Sequence, residues 1–383
     1  MKKRVVFYID SLRTGGAERI TLTLARWCVE SGWAPIVLTR QSLNIDFYPI
    51  PSGVQRMTEP KEPVWLKCLG RWGFLWRVVW LRRWLRTQRI SVAVGITTKP
   101  SVKLLLAARP LKIPCIISER NYPPLKRVAL PWAVLRHFIY AWAALHLVQT
   151  RATGEWLERR LSARPQLLMP NPLQWPLQRF SPEVEPNRWL ASRGVSHNAR
   201  VILAAGTKLY QKGFDLLVHA FVPLTNSFLD LQLVILGLDA EPYCGVDQQQ
   251  ELMNLVRQSP DAAGRLHLPG RLGNIADWYQ RCSVFTLPSR YEGFPNVLLE
   301  AMATGCVCVA SDCPHGPADL IEHKRNGMLL PRHARANKWT ETLAGLLMDQ
   351  ERCQALADAA CQVRERYSES KLRMRFLQAM DQL

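Results

Sequence analysis

The sequence is short of several things, and each shortage closes off a class of protein. Its ten cysteines contain no Cys-x-x-Cys pair, and only Cys306 and Cys308 stand two apart. That argues against a zinc framework or a disulfide scaffold and leaves small, reduced core residues. No Asp-x-Asp pair offers itself to a divalent cation, and no Gly-x-Gly-x-x-Gly follows the first strand-like run. Low-complexity tracts and internal repeats are missing too, which excludes a solenoid or a largely disordered chain. Long apolar runs are scarce. After Met1-Lys2-Lys3-Arg4 only five apolar residues precede Asp10, too few for a secretory signal, so the expected location is the cytoplasm. Val128 to Val148 is apolar enough to suggest a membrane span, but Pro131, Arg136, His137 and His146 argue for a buried or surface-lying helix.

The most uneven shortage is of acid. Residues 1–170 hold 28 Lys+Arg against 9 Asp+Glu, whereas residues 171–383 hold 22 of each, so the whole net charge of +19 lies in the first half. Between Pro63 and Gly154 the only acid is Glu119. A one-sided excess of this kind marks a docking face.

What is present is enough for two domains: 383 residues, 48% of them hydrophobic. Lys3 to Ile9 reads as a buried parallel strand, Asp10 to Gly16 as its loop, and Ala17 to Ser31 as a helix. Strand, glycine loop and helix form the phosphate-binding unit of doubly wound sheets, although a Gly15-Gly16 pair alone is usually just a turn. Further strands are predicted at Pro35–Thr39, Ile90–Ile96, Pro114–Ser118, Val201–Ala205, Asp230–Leu236, Leu266–Arg271, Ser283–Leu287 and Val307–Ala310. Between Pro63 and Arg89, Trp72, Trp76, Trp80 and Trp84 recur every four residues among seven basic residues. Such a helix either buries its indoles in the first core or lies at an anionic membrane surface. Glu119, alone among cations, has an ion pair with Arg120 or a neighbour as its structural explanation. Its place after a strand, in Ser118-Glu119-Arg120-Asn121, gives the functional one.

The richest stretch runs from Leu287 to Asp319. Pro288-Ser289 breaks a strand, Glu292-Gly293-Phe294-Pro295 cannot be helical, and Asn296 offers an N-cap to a buried helix. The first-turn amides of that helix seat a phosphate or sugar oxygen, and Glu292 and Glu300 flank the seat with acceptors for paired hydroxyls. Their plainer readings are a solvated loop charge for Glu292 and a helix-dipole partner for Glu300. His315, beside the second glycine turn, reads most simply as a solvated histidine.

The Glu-x7-Glu spacing within PSRYEGFPNVLLEAMATG, followed by Ser311-Asp312-Cys313-Pro314-His315-Gly316-Pro317, resembles the donor-binding signature of family 4 retaining glycosyltransferases. The likeness is to the subset that builds bacterial surface glycans. It implies an α/β GT-B fold: two Rossmann-like domains facing across a cleft, here 1–170 and 171–366, with 367–383 returning to the first. It implies that Glu292 contacts the transferred sugar and Glu300 the ribose, with Gly293, Phe294, Pro295, Asn296 and Val297 forming the seat. Ala204–Phe214 is similar to the family's diphosphate clamp: Lys212-Gly213 matches, but Thr207, with Lys208 next to it, stands where the family has arginine. Gly15 and Gly16 resemble the first glycine loop, Arg271 falls where the nucleotide base is met, and Glu119 lies on the acceptor side. The family implies catalytic roles for Glu292, Lys212 and Glu119. It calls for no cofactor or metal, and implies retention by front-face attack. The implied donor is a nucleotide-sugar, most simply UDP-linked, and the implied acceptor an undecaprenyl-diphosphate-linked glycan at the membrane face. Nucleic acid is not implied, because the basic segment is mixed with long apolar runs and shows no recognition motif. A sugar-nucleotide-binding scaffold without activity is the alternative that Thr207 leaves open.

Overall fold

A computed structural model describes residues 2–13, 15–61, 72–120, 128–239, 242, 243, 245–257, 259–314 and 316–383. The chain divides into two compact units, Met1–Asn171 with Ser370–Leu383, and Pro172–Glu369.

The first unit is built on seven parallel strands: β1 (Arg4–Ile9), β2 (Ala34–Thr39), β3 (Gln55–Thr58), β4 (Val92–Ile96), β5 (Cys115–Glu119), β6 (Leu145–Val148) and β7 (Gln166–Leu168). Their order is β3-β2-β1-β4-β5-β6-β7. Successive side chains of a strand point to opposite faces. Val5, Phe7 and Ile9 accordingly enter one buried cluster, while Val6 and Tyr8 enter the other. Both faces are covered by helices, which explains why the strands read as unbroken apolar runs. One face carries α1 (Gly16–Glu30), joined by the last helix of the chain, Glu369–Asp381. Phe376 of that helix lies 6.1 Å from Trp27 between ring centroids. The other face carries α2 (Trp72–Thr87), α3 (Thr98–Ala108) and α4 (Leu130–Ile139).

One expectation changes here. Val128–Val148 is not one helix: α4 ends at Ile139, a 3-10 turn covers Tyr140–Trp142, and β6 begins at Leu145. Of the two readings of the tryptophan segment, core burial holds for Trp84, which is buried, and for Trp80, which is partly buried and stacks on it with centroids 6.1 Å apart. Residues 62–71 and the Trp72 side chain lie outside the described residues. Arg77 is also drawn inward, donating to Glu59 at 2.5 Å, where Lys103 (3.3 Å) and the Tyr8 hydroxyl also bond. No helix among the described residues is long and apolar enough to cross a membrane.

The second unit holds six parallel strands: β8 (Val201–Ala205), β9 (Gln232–Leu236), β10 (Leu266–Gly270), β11 (Val284–Leu287), β12 (Cys308–Asp312) and β13 (Met328–Pro331). They are ordered β10-β9-β8-β11-β12-β13, again with a buried cluster on each face.

Both units bury a neutral histidine. His146 donates from Nε2 to the Tyr140 carbonyl at 3.1 Å, its Nδ1 has no partner among the described residues, and burial lowers its pKa to about 4. His267, against Gln232, is likewise lowered by burial to about 4. The folded protein therefore refuses protons that the unfolded chain accepts below its ordinary histidine pKa. This stability is complete above pH ~7 and lost as pH falls from ~6.5 towards ~4. Thermal unfolding across that window should show a loss of about 3 kcal/mol from His146 and less from the more solvated His267. His146→Gln should flatten the profile, and an unchanged slope would contradict this assignment.

Candidate active site

Strands β8 and β11 are neighbours from which the sheet grows in opposite directions, and ligands of open α/β sheets sit outside the carboxyl ends at such a point. β8 ends in Gly206-Thr207-Lys208, and β11 ends in Pro288-Ser289-Arg290-Tyr291-Glu292. The two loops bring together residues eighty positions apart: Lys212 Nζ donates to Glu292 Oε1 at 2.8 Å, and both side chains are largely buried. Their approach depends on glycine. Gly213 has φ +66°, and a Cβ there would lie 2.1 Å from the Pro288 carbonyl oxygen. At Gly206 a Cβ would meet the Lys212 stem at 2.7 Å. The Arg290 amide donates to the Gln211 carbonyl at 2.9 Å, and its guanidinium grips both oxygens of Asp215 at 2.8 and 2.5 Å.

Glu292 is held on one oxygen only. Ser289 Oγ donates to Oε1 at 2.5 Å, beside the Lys212 bond, and Ser311 Oγ in turn donates to the Ser289 carbonyl. Among the described residues Oε2 has no hydrogen-bond partner, so it can accept from a ligand hydroxyl. Burial first, and the Glu292 charge second, push the neighbouring Cys313 thiol up to about 12, so it stays protonated beside the carboxylate.

The helix beyond runs Asn296–Thr304 with Pro295 in the cap position. Asn296 is thus the first helical residue rather than the expected N-cap, because the Pro295 carbonyl already accepts from the Leu298 and Leu299 amides. The Val297 amide has no backbone partner among the described residues. Tyr279 Oη donates to the Val297 carbonyl at 3.0 Å and steadies this first turn. Phe294 packs on Tyr367, and Gly316, with φ +115°, leaves room for Pro295, whose Cδ would be 2.4 Å from a Cβ there. Gly293 lies within the same loop, and Glu300 stands one turn into the helix. His315 is outside the described residues.

Other expected residues stand apart. Lys208 extends over the Tyr243 ring, 5.7 Å from its centroid. Thr207 presents its carbonyl to Gln248 Nε2 (3.3 Å), while Gln248 Oε1 takes the Leu209 amide (2.7 Å), so one buried side chain braces the loop. Arg271 pairs with Asp239 at 2.6 Å on an exposed surface. Ser289, Ser311, Gly206 and Gln248 were not singled out in the sequence. Gln248 carried no signal; Gly206, Ser289 and Ser311 each lay inside a quoted motif that could have drawn attention to them.

In the first unit, Gly15 caps α1 in extended geometry and Gly16 begins it. They follow β1, whose neighbour β4 makes that pair the switch point of the first sheet. A Cβ on Gly15 would meet the Glu18 carboxylate, which roofs the turn. Glu119 ends β5 but faces inward, accepting from Thr98 Oγ1 at 2.9 Å and Tyr140 Oη at 2.5 Å. Burial first, then the Glu119 charge, raise the Tyr140 hydroxyl well above its ordinary pKa. The ion pair with Arg120 that offered one structural explanation of Glu119 is absent among the described residues. Arg120 reaches Asn171 at 3.2 Å instead, and burial lowers its pKa to about 9. Asn121 lies outside the described residues.

Two parallel Rossmann-like sheets, each with a loop and helix start at its switch point, define the GT-B class. Residues 15–172 match the glycosyl transferase 4-like domain, and residues 199–366 match the glycosyl transferases group 1 domain. The chain belongs to this family of group 1, family 4 glycosyltransferases. It is 30% identical over 185 residues to the N,N'-diacetylbacillosaminyl-diphospho-undecaprenol alpha-1,3-N-acetylgalactosaminyltransferase of Campylobacter jejuni, covering 48% of this chain and 45% of that one. It is 23% identical over 322 residues to the amylovoran biosynthesis glycosyltransferase AmsD of Erwinia amylovora, covering 83% and 84%. Its first three curated relatives are matched over only 35%, 38% and 45% of their length. Among solved structures, Anabaena Alr3699/HepE in complex with UDP superposes with a TM-score of 0.81 at 17% identity, covering 100% of both chains.

The glycine contact at Pro288 is testable by itself. Gly213→Ala should cost about 3 kcal/mol in urea unfolding, from a left-handed backbone plus overlap with a carbonyl. Gly194→Ala, at φ +76° with open space around it, should cost only about 1 kcal/mol. Equal losses would show that the Pro288 contact is not what Gly213 serves.

Proposed function

We propose that this chain moves a hexose or N-acetylhexosamine from a UDP-sugar to an undecaprenyl-diphosphate-linked glycan during assembly of a bacterial surface polysaccharide. The observation that carries the reading is Glu292: one oxygen is fixed by Lys212 and Ser289, and the other is without a hydrogen-bond partner among the described residues. A carboxylate so fixed is preorganised to receive a sugar hydroxyl, because its orientation costs nothing further on binding. Lys212 spends one of its three N–H donors on Glu292, and the remaining two serve the departing diphosphate together with the Val297 amide. Glu300 is assigned to the ribose hydroxyls. Gly293, Phe294, Pro295 and Asn296 are assigned to the wall of the seat. The UDP choice draws on the Anabaena complex, and the acceptor draws on the Campylobacter enzyme's name.

In the proposed reaction the bond from the anomeric carbon to the β-phosphate oxygen breaks as the acceptor hydroxyl attacks on the same face. The hydroxyl proton passes to the departing phosphate oxygen, and the configuration is retained. Gly15, Gly16, Thr207, Lys208 and Arg271 keep donor roles on the resemblance alone. For Glu119 the buried bonds to Thr98 and Tyr140 favour a positioning role over contact with substrate.

Calorimetry should detect UDP binding, with GDP weaker and duplex DNA silent, and UDP release should require a polyprenyl-diphosphate glycan. Lys212→Ala should slow turnover about a hundredfold, and Glu292→Gln tenfold or more at about 2 kcal/mol. UDP binding without turnover on any lipid-linked acceptor would favour the inactive scaffold. Undiminished transfer by both variants would remove the proposed roles.

A further inference from the structure

Cysteines that read as inert core residues in the sequence gather at one place in the second unit. Cys282 caps the C-terminus of the helix Ile275–Arg281, and Cys306 lies just beyond the helix Asn296–Thr304. Their Sγ atoms stand 3.7 Å apart, and both thiols reach one acceptor, the Tyr279 carbonyl, at 3.2 Å each. Cys306 is buried and Cys282 is partly exposed. Two further thiols are near. Cys308 donates to the Cys306 carbonyl at 3.4 Å, and the Cys361 Sγ is 3.4 Å from where a Cβ on Gly305 would sit. Among the described residues no group of three or more histidines, cysteines or carboxylates could hold a metal ion, so this cluster offers the chemistry of paired thiols.

The pair has the asymmetry that thiol–disulfide exchange needs. The bond to Cys282 first, and burial second, raise the Cys306 thiol well above its ordinary pKa, so Cys306 keeps its hydrogen. That hydrogen can turn from the carbonyl to a Cys282 thiolate and stabilise it. Burial lowers the pKa of Arg281, next in sequence, and the charge of Cys282 acts on it in the opposite sense, so a cation stands within reach of the thiolate. The partly exposed sulfur is thus the nucleophile and the buried one the resolving thiol.

What the pair touches also holds the start of the helix Asn296–Thr304. Tyr279 is buried, lies edge-on to Phe285 with centroids 5.4 Å apart, and donates from Oη to the Val297 carbonyl at 3.0 Å. One residue therefore takes both thiols on its carbonyl and steadies the first helical turn with its ring. Among the described residues those two thiols are the donors that its carbonyl has.

We propose that Cys282 and Cys306 form a modification site for low-molecular-weight disulfides, and that closing them into a protein disulfide loosens the first turn of the helix Asn296–Thr304. The Cys282 thiolate, its proton given up to solvent, attacks one sulfur of a disulfide RSSR and expels RS⁻, which takes a proton back. Cys306 then attacks the Cys282 sulfur of the mixed disulfide, and its proton goes to the second departing RS⁻. Two protein thiols lose two electrons, and one RSSR becomes two RSH. A disulfide bond is about 2.0 Å long, so the sulfurs must close by about 1.7 Å, and the Tyr279 carbonyl loses both S–H donors. The packed ring carries that shift to Val297. Where glutathione keeps thiols reduced the pair stays open, and it closes under oxidative load. The modification site stands without the donor reading; only an effect on UDP affinity rests on it.

The test is incubation of the full chain with oxidised glutathione, alkylation of the remaining thiols, and peptide mapping by mass spectrometry. The parent should give the Cys282–Cys306 disulfide, reversed by dithiothreitol. Cys306→Ser should stop at a glutathione adduct on Cys282, and Cys282→Ser should leave Cys306 unmodified. Phenylarsine oxide, which bridges two neighbouring thiols, should bind the parent about tenfold or more tighter than either variant. Amide hydrogen exchange across Asn296–Thr304 should quicken about fivefold when the parent is oxidised but not when Cys282→Ser is treated alike, and UDP affinity should fall by a similar factor. A parent that forms no disulfide, or forms it through Cys308 or Cys361, overturns the site, and that mapping depends on no variant. An oxidised parent with unchanged amide exchange overturns the link to the helix. Quickened exchange in a protein that binds UDP in neither form supports the link and refutes the donor reading instead.

Discussion

A buried ammonium beside a buried carboxylate is stable only if both are held in place, because either one alone would be an uncompensated charge in the interior. The Lys212–Glu292 pair imposes that condition on the second unit. The strand order places the β8 and β11 loops side by side, Gly213 lets them touch, and Arg290 fastens one to the other through Asp215 and Gln211. Ser289 and Ser311 then settle which carboxylate oxygen is occupied. A glycine, two serines and an arginine thus serve the geometry of two charges without being reactive groups themselves.

The first unit uses its carboxylates differently. Glu59 collects the Tyr8 hydroxyl, Arg77 and Lys103, while Glu119 collects two hydroxyls. Both acids are spent inside, where they satisfy buried donors, and the outside from α2 to α4 is left cationic. Charge asymmetry in the composition is therefore also an asymmetry of burial. It reflects where the few acids of this half are placed as much as how few they are.

Central strands were legible because both their faces are covered, and unbroken apolar runs such as Val5–Ile9 and Val201–Ala205 have few other uses. The edge strands of the first sheet were not. β3 reads Gln-Arg-Met-Thr and β7 reads Gln-Leu-Leu, half-exposed segments too short and too polar to stand out. Spacing of four in the tryptophan segment announced a helix but could not say which way it turned, since an indole suits a core and an interface equally well. At the site, Glu292, Lys212 and the helix start were visible as motifs. The roles of Ser289 and Ser311, though both stand inside those motifs, and of Gln248 were not legible, because their work depends on a neighbour 3 to 41 residues away that only folding supplies. Asn296 misled for a local reason: the preceding proline contributes the carbonyl that begins the helix.

The last helix of the chain belongs to the unit that the ribosome makes first. Trp27 and Phe376 are partners in one core although roughly 350 residues separate them, so the second unit is in effect an insertion within the first. At translation rates of about 5–20 residues per second, the face of α1 that receives Phe376 waits roughly 20–70 seconds for it. Through that interval Trp27 and its neighbours are an open apolar surface on a nascent chain, a natural place for a chaperone to bind. The order of synthesis thus makes the second unit the first one able to complete its own core.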